Sequence, residues 1–259
     1  MKRTDMACDF MPHEDTEDSG LRAYTVTVDS ELSKKLNRPK GKYATVECRA
    51  VPEHGREKYG EIAARIADAI ALFLPQGATE VLVVGLGNPS MTADSLGSET
   101  CARIAPTAEK PRLTTVVPSV VGVTGVESFD VVAGVASRTR PDAIIAIDSL
   151  ASAAVSRIAS AFQITDTGIT PGSGVSNHRA RMCADSLGVP VISLGVPLVV
   201  YASTIIEDAT GSECPDDEVG NMIVTPKDID VYVSDCADIL ASAVTTACGH
   251  APTLRRIYT

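Results

Sequence analysis

Two aspartates directly follow short apolar runs that are typical of buried strands. Asp94 lies in the Gly/Pro/Ser-rich segment after EVLVVG (80–85), and Asp148 ends AIIAID (143–148). The carboxyl ends of parallel strands meet at one edge of a sheet, where ligands of open α/β folds bind. If the two strands are neighbours, the carboxyls approach each other, one pKa rises and the pair shares a proton.

Such a pair can hydrolyse an amide, because one carboxyl activates a water while the other protonates the leaving group. A structural alternative assigns Asp94 to a helix N-cap and Asp148 to a hydrogen-bonded position at the end of a strand. Position along the chain alone favours this alternative.

A third aspartate begins the tripeptide Asp166-Thr167-Gly168, the form in which pepsin-like proteases present a catalytic aspartate. Those enzymes need two copies in a β-rich fold, whereas this chain has one copy in an α/β pattern. The following PGSGV is not a G-x-S-x-G nucleophile elbow, because Pro171 replaces the first glycine. We expect Gly168, Gly172 and Gly174 to form a tight turn or to let backbone amides approach a ligand.

Other sequence signals are weak. VVGLGNPS (83–90) has Ser90 where a dinucleotide loop needs its third glycine, and its similarity to peptidyl-tRNA hydrolases ends after about eight residues. The four histidines are scattered and no His-Glu-x-x-His occurs, so we do not expect a zinc protease.

Composition excludes several classes of protein. The net charge of −10 disfavours a nucleic-acid coat, which needs clustered Lys and Arg. The seven cysteines form no Cys-x-x-Cys pair, which argues against a disulfide framework or a zinc ribbon and favours a reducing cytosol. The polar first twenty residues lack the apolar core of a secretion signal, and no apolar run reaches the roughly 18 residues that span a bilayer.

The order of the elements predicts an α/β fold with a mostly parallel sheet flanked by helices. Residues 1–20 are expected to form a flexible acidic arm before a single domain, 21–259, which opens with a peripheral β-hairpin over 21–51. Helices are predicted over 57–74 and from Thr225-Pro226 onward. Strands are predicted at 80–85, 113–118, 143–148 and 189–195.

Taken together, several segments resemble the germination protease of spore-forming bacteria, the endopeptidase that degrades small acid-soluble spore proteins. The matching segments, in family order, are RTDMA (3–7), VVGLGNPSMTADSLG (83–97), VPSVVGVTGVESFDVV (117–132), PDAIIAIDSLASAAVSRI (141–158), QITDTGITPGSGVSNHR (163–179), LGVPVISLGVPLVVYASTI (187–205) and VTPKDIDVYVSDCADILASA (224–243). The resemblance implies an atypical aspartic endopeptidase with the three-layer phosphorylase/hydrolase-like fold of hydrogenase maturation proteases.

By this resemblance the catalytic acids are Asp94 and Asp148, the pair that the sheet-edge argument selects. The residues implied to line the site or bind substrate are Gly87, Asn88, Asp166, Gly168, Gly172, Ser173 and Gly174. The resemblance implies spore proteins as substrates, a homotetramer, and the cytoplasm of the spore core as location. We also expect no cofactor, no bound metal, and no direct contact with nucleic acid or a membrane. Two alternatives stay open: an endopeptidase of the maturation type with a metal between the two acids, and a non-catalytic module that binds an anion or a partner.

The sequence departs from the family pattern at three places. Thr170 replaces the histidine of the usual DTGIHPGSG loop. Only Met1 and Lys2 precede the RTD motif, where relatives carry a longer prosegment, which puts zymogen control by self-cleavage in question. Relatives also carry a longer insertion between the counterparts of Thr210 and Val224.

Overall fold

The computed structural model describes residues 4–10, 21–48, 51, 56–171, 180–212, 214 and 218–251. The strands are β1 (Arg22–Val28), β2 (Gly41–Glu47), β3 (Glu80–Gly85), β4 (Arg112–Val116), β5 (Ala143–Ser152), β6 (Ala161–Thr165), β7 (Val191–Tyr201) and β8 (Ile223–Val224). The helices are α1 (Ser30–Leu36), α2 (Tyr59–Ala71), α3 (Leu96–Arg103), α4 (Val121–Thr124), α5 (Ser128–Thr139), α6 (Ala184–Leu187), α7 (Ala202–Thr210) and α8 (Ile229–Ala247). No helix in these ranges is both long and apolar enough to cross a membrane.

The strands form one mixed sheet in the order β1-β2-β6-β7-β5-β3-β4, and β8 pairs with β7. The half built from β4, β3, β5 and β7 is parallel, as the sequence predicts. The half built from β1, β2 and β6 is antiparallel, and β6 joins the two halves through its antiparallel pairing with β7. The short antiparallel strand β6 was not predicted.

Helices cover both faces of the sheet, which explains the apolar character of the central strands. All ten residues of β5 except Ser149 are buried. Alternate residues of each strand face opposite sides. On one face Ile145 and Ile147 pack with α2, α3 and α8, and on the other Ile144 and Ala146 pack with α5. The sheet is therefore the central layer of three.

The N-terminal strands extend the edge of this sheet. β1 and β2 pair antiparallel from Arg22↔Glu47 to Val28↔Gly41, and β2 also pairs with β6. The predicted hairpin is thus part of the main sheet, and its connection contains α1. Asp29 caps α1, accepting hydrogen bonds from the backbone of Glu31 and Leu32.

Residues 4–10, which the sequence analysis assigned to a flexible arm, pack on the sheet. Met6 and Cys8 are buried in one apolar cluster and Ala7 in another, although the residues around them in the sequence are mostly polar. These three side chains supply the apolar surface that packs on the sheet. Arg157 binds Asp9 and Glu47, which ties this segment to the fold. The rest of the expected arm, 11–20, lies outside the described residues, and the division at residue 20 stays a prediction.

Other boundaries differ from the sequence predictions. β5 continues beyond Asp148, its predicted last residue, to Ser152. β7 likewise continues beyond Gly195 to Tyr201. The last helix begins at Ile229 rather than at Pro226, and the Thr225 hydroxyl donates to the carbonyl of Leu198 instead of capping the helix. The pairing of β8 with β7 holds the segment before Thr225 extended, and this tertiary contact overrides the local start signal.

Candidate active site

The loop after β3 is built around the contact of Gly87 with Asp94. Gly87 has φ 95°, a conformation that favours glycine, and a Cβ there would lie 2.0 Å from the Asp94 carbonyl oxygen. The backbone N–H of Asn88 donates to Asp94 Oδ2 at 2.7 Å. Asp94 ends a short 3-10 helix, Thr92–Asp94, directly before α3. The sequence GLGN…D therefore folds back so that its backbone fixes the carboxyl of Asp94.

Asp148 lies on the neighbouring strand at the level where β3 ends. The last residue pair of the β3–β5 ladder is Gly85↔Ile147, so Asp148 is one residue beyond it. Its side chain is on the face covered by α5, and only 8% of the residue is exposed. Asp148 Oδ1 accepts a hydrogen bond of 2.9 Å from the backbone N–H of Ser149. The condition set by the sequence, that the two acid-bearing strands be neighbours, is met.

The two carboxyls interact electrostatically. Burial raises the pKa of Asp148 well above its ordinary value, and the charge of Asp94 raises it further. Burial also raises the pKa of Asp94, but the Asn88 N–H stabilises its charged form and opposes this rise. The pair therefore has one member that ionises first, Asp94, and one that keeps its proton to higher pH, Asp148.

A third acid comes from the N-terminal segment. Asp5 Oδ2 accepts a hydrogen bond of 2.9 Å from the backbone N–H of Ala151, three residues beyond Asp148 on β5. Its negative charge also contributes to the raised pKa of Asp148. Sequence reasoning quoted Asp5 within the RTDMA match but gave it no role. The only available signal was that match, because the contact joins residues 146 positions apart.

Glycines allow the elements around the pair to pack closely. A Cβ on Gly97, in α3, would lie 2.5 Å from the Ile147 carbonyl oxygen and from the backbone of Leu86. A Cβ on Gly85 would lie 2.3 Å from the Gly97 oxygen. The start of α3 thus rests directly on the end of β3 and on the middle of β5 at Ile147. Sequence reasoning did not select Gly97, although it lies within the matched VVGLGNPSMTADSLG segment.

The structure does not bring Asp166 to this pair. Thr165 and Ala146 both pair with Ser193, so Asp166 lies toward the opposite edge of the sheet from Asp148, with β7 between them. Strand spacing and rise make that separation on the order of 10 Å or more. Asp166 is exposed, and its Oδ1 accepts a hydrogen bond from the Lys42 N–H at 2.8 Å. Its implied role as a site-lining residue is not supported by this position.

Gly168 has a structural role at the same turn. Its φ is 77°, and a Cβ would lie 2.1 Å from the Met182 carbonyl oxygen. The bridge Ile169↔Met182 follows directly. From there Pro171 reaches the start of α5, where a cavity of about 70 Å³ is lined by Glu127, Ser128, Phe129, Asp130, Pro171 and Ala180. Gly172, Ser173 and Gly174 lie outside the described residues.

The alternatives left open by the sequence can be compared with this geometry. The N-cap of α3 is Ser95 rather than Asp94, so the structural role suggested for Asp94 is wrong. Asp148 lies within β5 rather than at its end. Across the described ranges, no group of three or more His, Cys, Asp and Glu side chains is arranged to hold a metal ion.

The chain is thus an α/β protein whose two acids, Asp94 and Asp148, lie near the level at which β3 ends. Comparison with known proteins gives the family. Residues 2–211 match the family model described as germination protease. The chain is 31% identical to the germination protease of Bacillus velezensis, with 90% of this chain and 85% of that protein covered. It is 30% identical to that of Bacillus subtilis, with 90% and 85% covered.

The chain therefore belongs to the germination protease family, and it is a protease. Among solved structures, a NiFe hydrogenase maturation protease from Thermococcus kodakarensis aligns with a TM-score of 0.40 and 17% identity, covering 68% of this chain and 99% of that chain.

Proposed function

We propose that this protein is an endopeptidase of spore germination that cleaves small acid-soluble spore proteins with a water activated between Asp94 and Asp148. The observation that carries the proposal is the acid pair itself, in which the charge of the half-buried Asp94 raises the pKa of the buried Asp148. Membership of the germination protease family supports the biological setting.

The asymmetry of the pair assigns the two roles. Asp94, which has a backbone hydrogen bond to its charged form, is the general base that takes a proton from water. Asp148, the more deeply buried acid, holds the proton that is donated to the amide as the tetrahedral intermediate forms and collapses. No described residue forms a hydrogen bond with Asp94 Oδ1 or Asp148 Oδ2, so one oxygen of each carboxyl is available for water and substrate.

The substrate class follows from the resemblance and from the access that amide hydrolysis requires. A peptide bond reaches a buried carboxyl, Asp148, and a half-buried one, Asp94, only if the backbone around it is extended and free of its own tertiary structure. Small spore proteins that are largely unstructured in solution meet this condition. The net charge of −10 agrees with a protein that handles such substrates without itself coating nucleic acid.

The test is to incubate the purified protein with a small acid-soluble spore protein and to map the fragments by mass. We expect discrete cuts with the native chain and none with Asp148→Asn, which cannot hold the exchangeable proton. Circular dichroism checks that the variant is folded. Undiminished cutting by the folded Asp148→Asn variant would refute the two-aspartate mechanism, and no cutting by the native chain would refute the substrate assignment.

A further inference from the structure

Strand β5 is longer than the strand that covers one of its two edges. The ladder with β3 ends at Gly85↔Ile147, whereas β5 continues to Ser152. On the other side, β7 pairs with β5 as far as Ser152↔Val200. Residues Asp148–Ser152 therefore have a main-chain edge on the β3 side that no strand of the described chain pairs. We refer to this edge as the open edge of β5.

The open edge presents its hydrogen-bonding groups at alternate residues. The Ile147 carbonyl points toward β3, since it accepts the Leu86 N–H at 2.8 Å. Alternation along a strand directs the main-chain groups of Ser149 and Ala151 to the same side. For Ala151 the contacts show this directly, because both its N–H and its carbonyl bind Asp5 rather than β7.

The N-terminal segment shows how a chain is held there. The Asp5 N–H donates to the Ala151 carbonyl at 2.8 Å, which is a main-chain hydrogen bond of the kind that joins strands. The Asp5 carboxylate accepts the Ala151 N–H, and the Thr4 hydroxyl donates to the same Ala151 carbonyl at 3.3 Å. The Asp5 carboxylate thus accepts the hydrogen bond from the Ala151 N–H that a backbone carbonyl would accept if a second strand were paired there.

The open edge begins at the acid pair. Asp148 is its first residue, and Asp94 follows β3, so Asp94 stands on the side of β5 toward which the edge points. A chain that runs along the edge from Ala151 toward Ile147 passes both carboxyls. The charge of Asp5 raises the pKa of Asp148, which is consistent with a short distance along the edge from Ala151 to the acid pair.

We propose that the open edge of β5 binds the substrate backbone as an added strand, with the N–H and carbonyl of Ala151 as anchors, and that substrate replaces Asp5 there. The proposal rests on the proposed function. Strand addition gives affinity through main-chain hydrogen bonds and leaves sequence preference to the alternate side chains. This mode of binding suits a protease whose substrates are extended chains.

An ester scan of a substrate peptide tests the proposal without altering the protein. Peptides spanning a mapped cut are made with one backbone N–H at a time replaced by an ester oxygen. We expect kcat/KM to fall about three- to tenfold at the residue that donates to Ala151, the size expected for one lost hydrogen bond. The two adjacent residues, whose N–H groups point away from the edge, should change by less than about twofold.

Amide exchange at Ala151 gives a second, direct measurement. In a protein carrying both Asp5→Ala and Asp148→Asn, the Ala151 N–H has lost its acceptor and the peptide is not cut. Saturating unmodified peptide should slow exchange of this amide about tenfold or more, while the Val81 amide in the covered ladder should not change. Unchanged exchange at Ala151 despite saturation, or a uniform ester scan, would overturn the proposal.

These outcomes are separate from failure of the proposed function. If the native chain cuts the unmodified peptide and Asp148→Asn does not, the two-aspartate chemistry stands whatever the scan shows. A uniform scan in that situation means that the substrate reaches the acid pair without pairing with the open edge of β5.

Discussion

The chain has two regions in which an aspartate lies next to a tight glycine turn, and the two aspartates have different surroundings in the tertiary structure. Around Gly87, the turn holds Asp94 half-buried, where its charge raises the pKa of the buried Asp148. Around Gly168, the turn leaves Asp166 exposed, with its carboxylate bound to the Lys42 N–H. The comparison teaches that a short motif does not define a catalytic aspartate. Burial and a second carboxyl distinguish such a residue, because together they raise the pKa of one member of the pair well above its ordinary value.

The largest contrast between the two regions is expected in catalysis. Asp94→Asn removes the general base and should lower kcat about 100- to 10,000-fold. Asp166→Asn keeps an acceptor for the Lys42 N–H and should stay within about threefold of the native kcat. Steady-state cleavage of a spore protein measures both. Equal losses of kcat in the two variants would contradict this distinction and would indicate that Asp166 also belongs to the active site.

The pH profile should show the acid pair and not Asp166. Activity requires Asp94 ionised and Asp148 protonated, so kcat/KM should rise through the raised pKa of Asp94 and fall through the higher pKa of Asp148. Each limb changes about tenfold per pH unit away from the optimum. The profile of Asp166→Asn should coincide with that of the native protein. A profile without the alkaline fall would contradict the assignment of Asp148 as the acid.

Alanine at the two glycines separates local strain from function. Gly87→Ala and Gly168→Ala each force a Cβ into backbone atoms at positive φ and should cost on the order of 1–3 kcal/mol of stability. Only Gly87→Ala displaces Asp94, so only this variant should also lose activity per folded molecule. Gly134→Ala, in α5 with open space around it, is the control and should stabilise by up to about 1 kcal/mol. Thermal unfolding and kcat/KM measure the two effects.

The smallest contrast concerns stability. Because burial raises the pKa of Asp148 in the folded state, stability falls as pH rises from the ordinary aspartate pKa through the raised one. Asp148→Asn removes this penalty, so its Tm at neutral pH should exceed that of the native protein by a few degrees, on the order of 2–4 °C per kcal/mol. Asp166→Asn should leave Tm unchanged. If Asp148→Asn lowers Tm at neutral pH and not below pH 4, the carboxylate is stabilised in the fold and the raised pKa is contradicted.

Much of the parallel half of the sheet could be predicted from the sequence. Continuous apolar runs such as EVLVVG and AIIAI are found in strands covered on both faces, and the structure places them as neighbours. Short elements were missed or displaced because local signals were weak. β6 is only five residues long, and the start of α8 moved because β8 pairs with β7.

The sequence by itself determined the family, the α/β class and the placement of Asp94 after the β3 run and of Asp148 in the β5 run. These follow from periodicity and from motifs within single segments. Only the tertiary structure decided that β6 runs antiparallel and carries Asp166 away, and that residues 4–10 pack on the sheet with Asp5 at Ala151. Strand direction, burial and hydrogen bonds between distant residues depend on how the elements pack against one another. A local pattern of side chains therefore does not predict them.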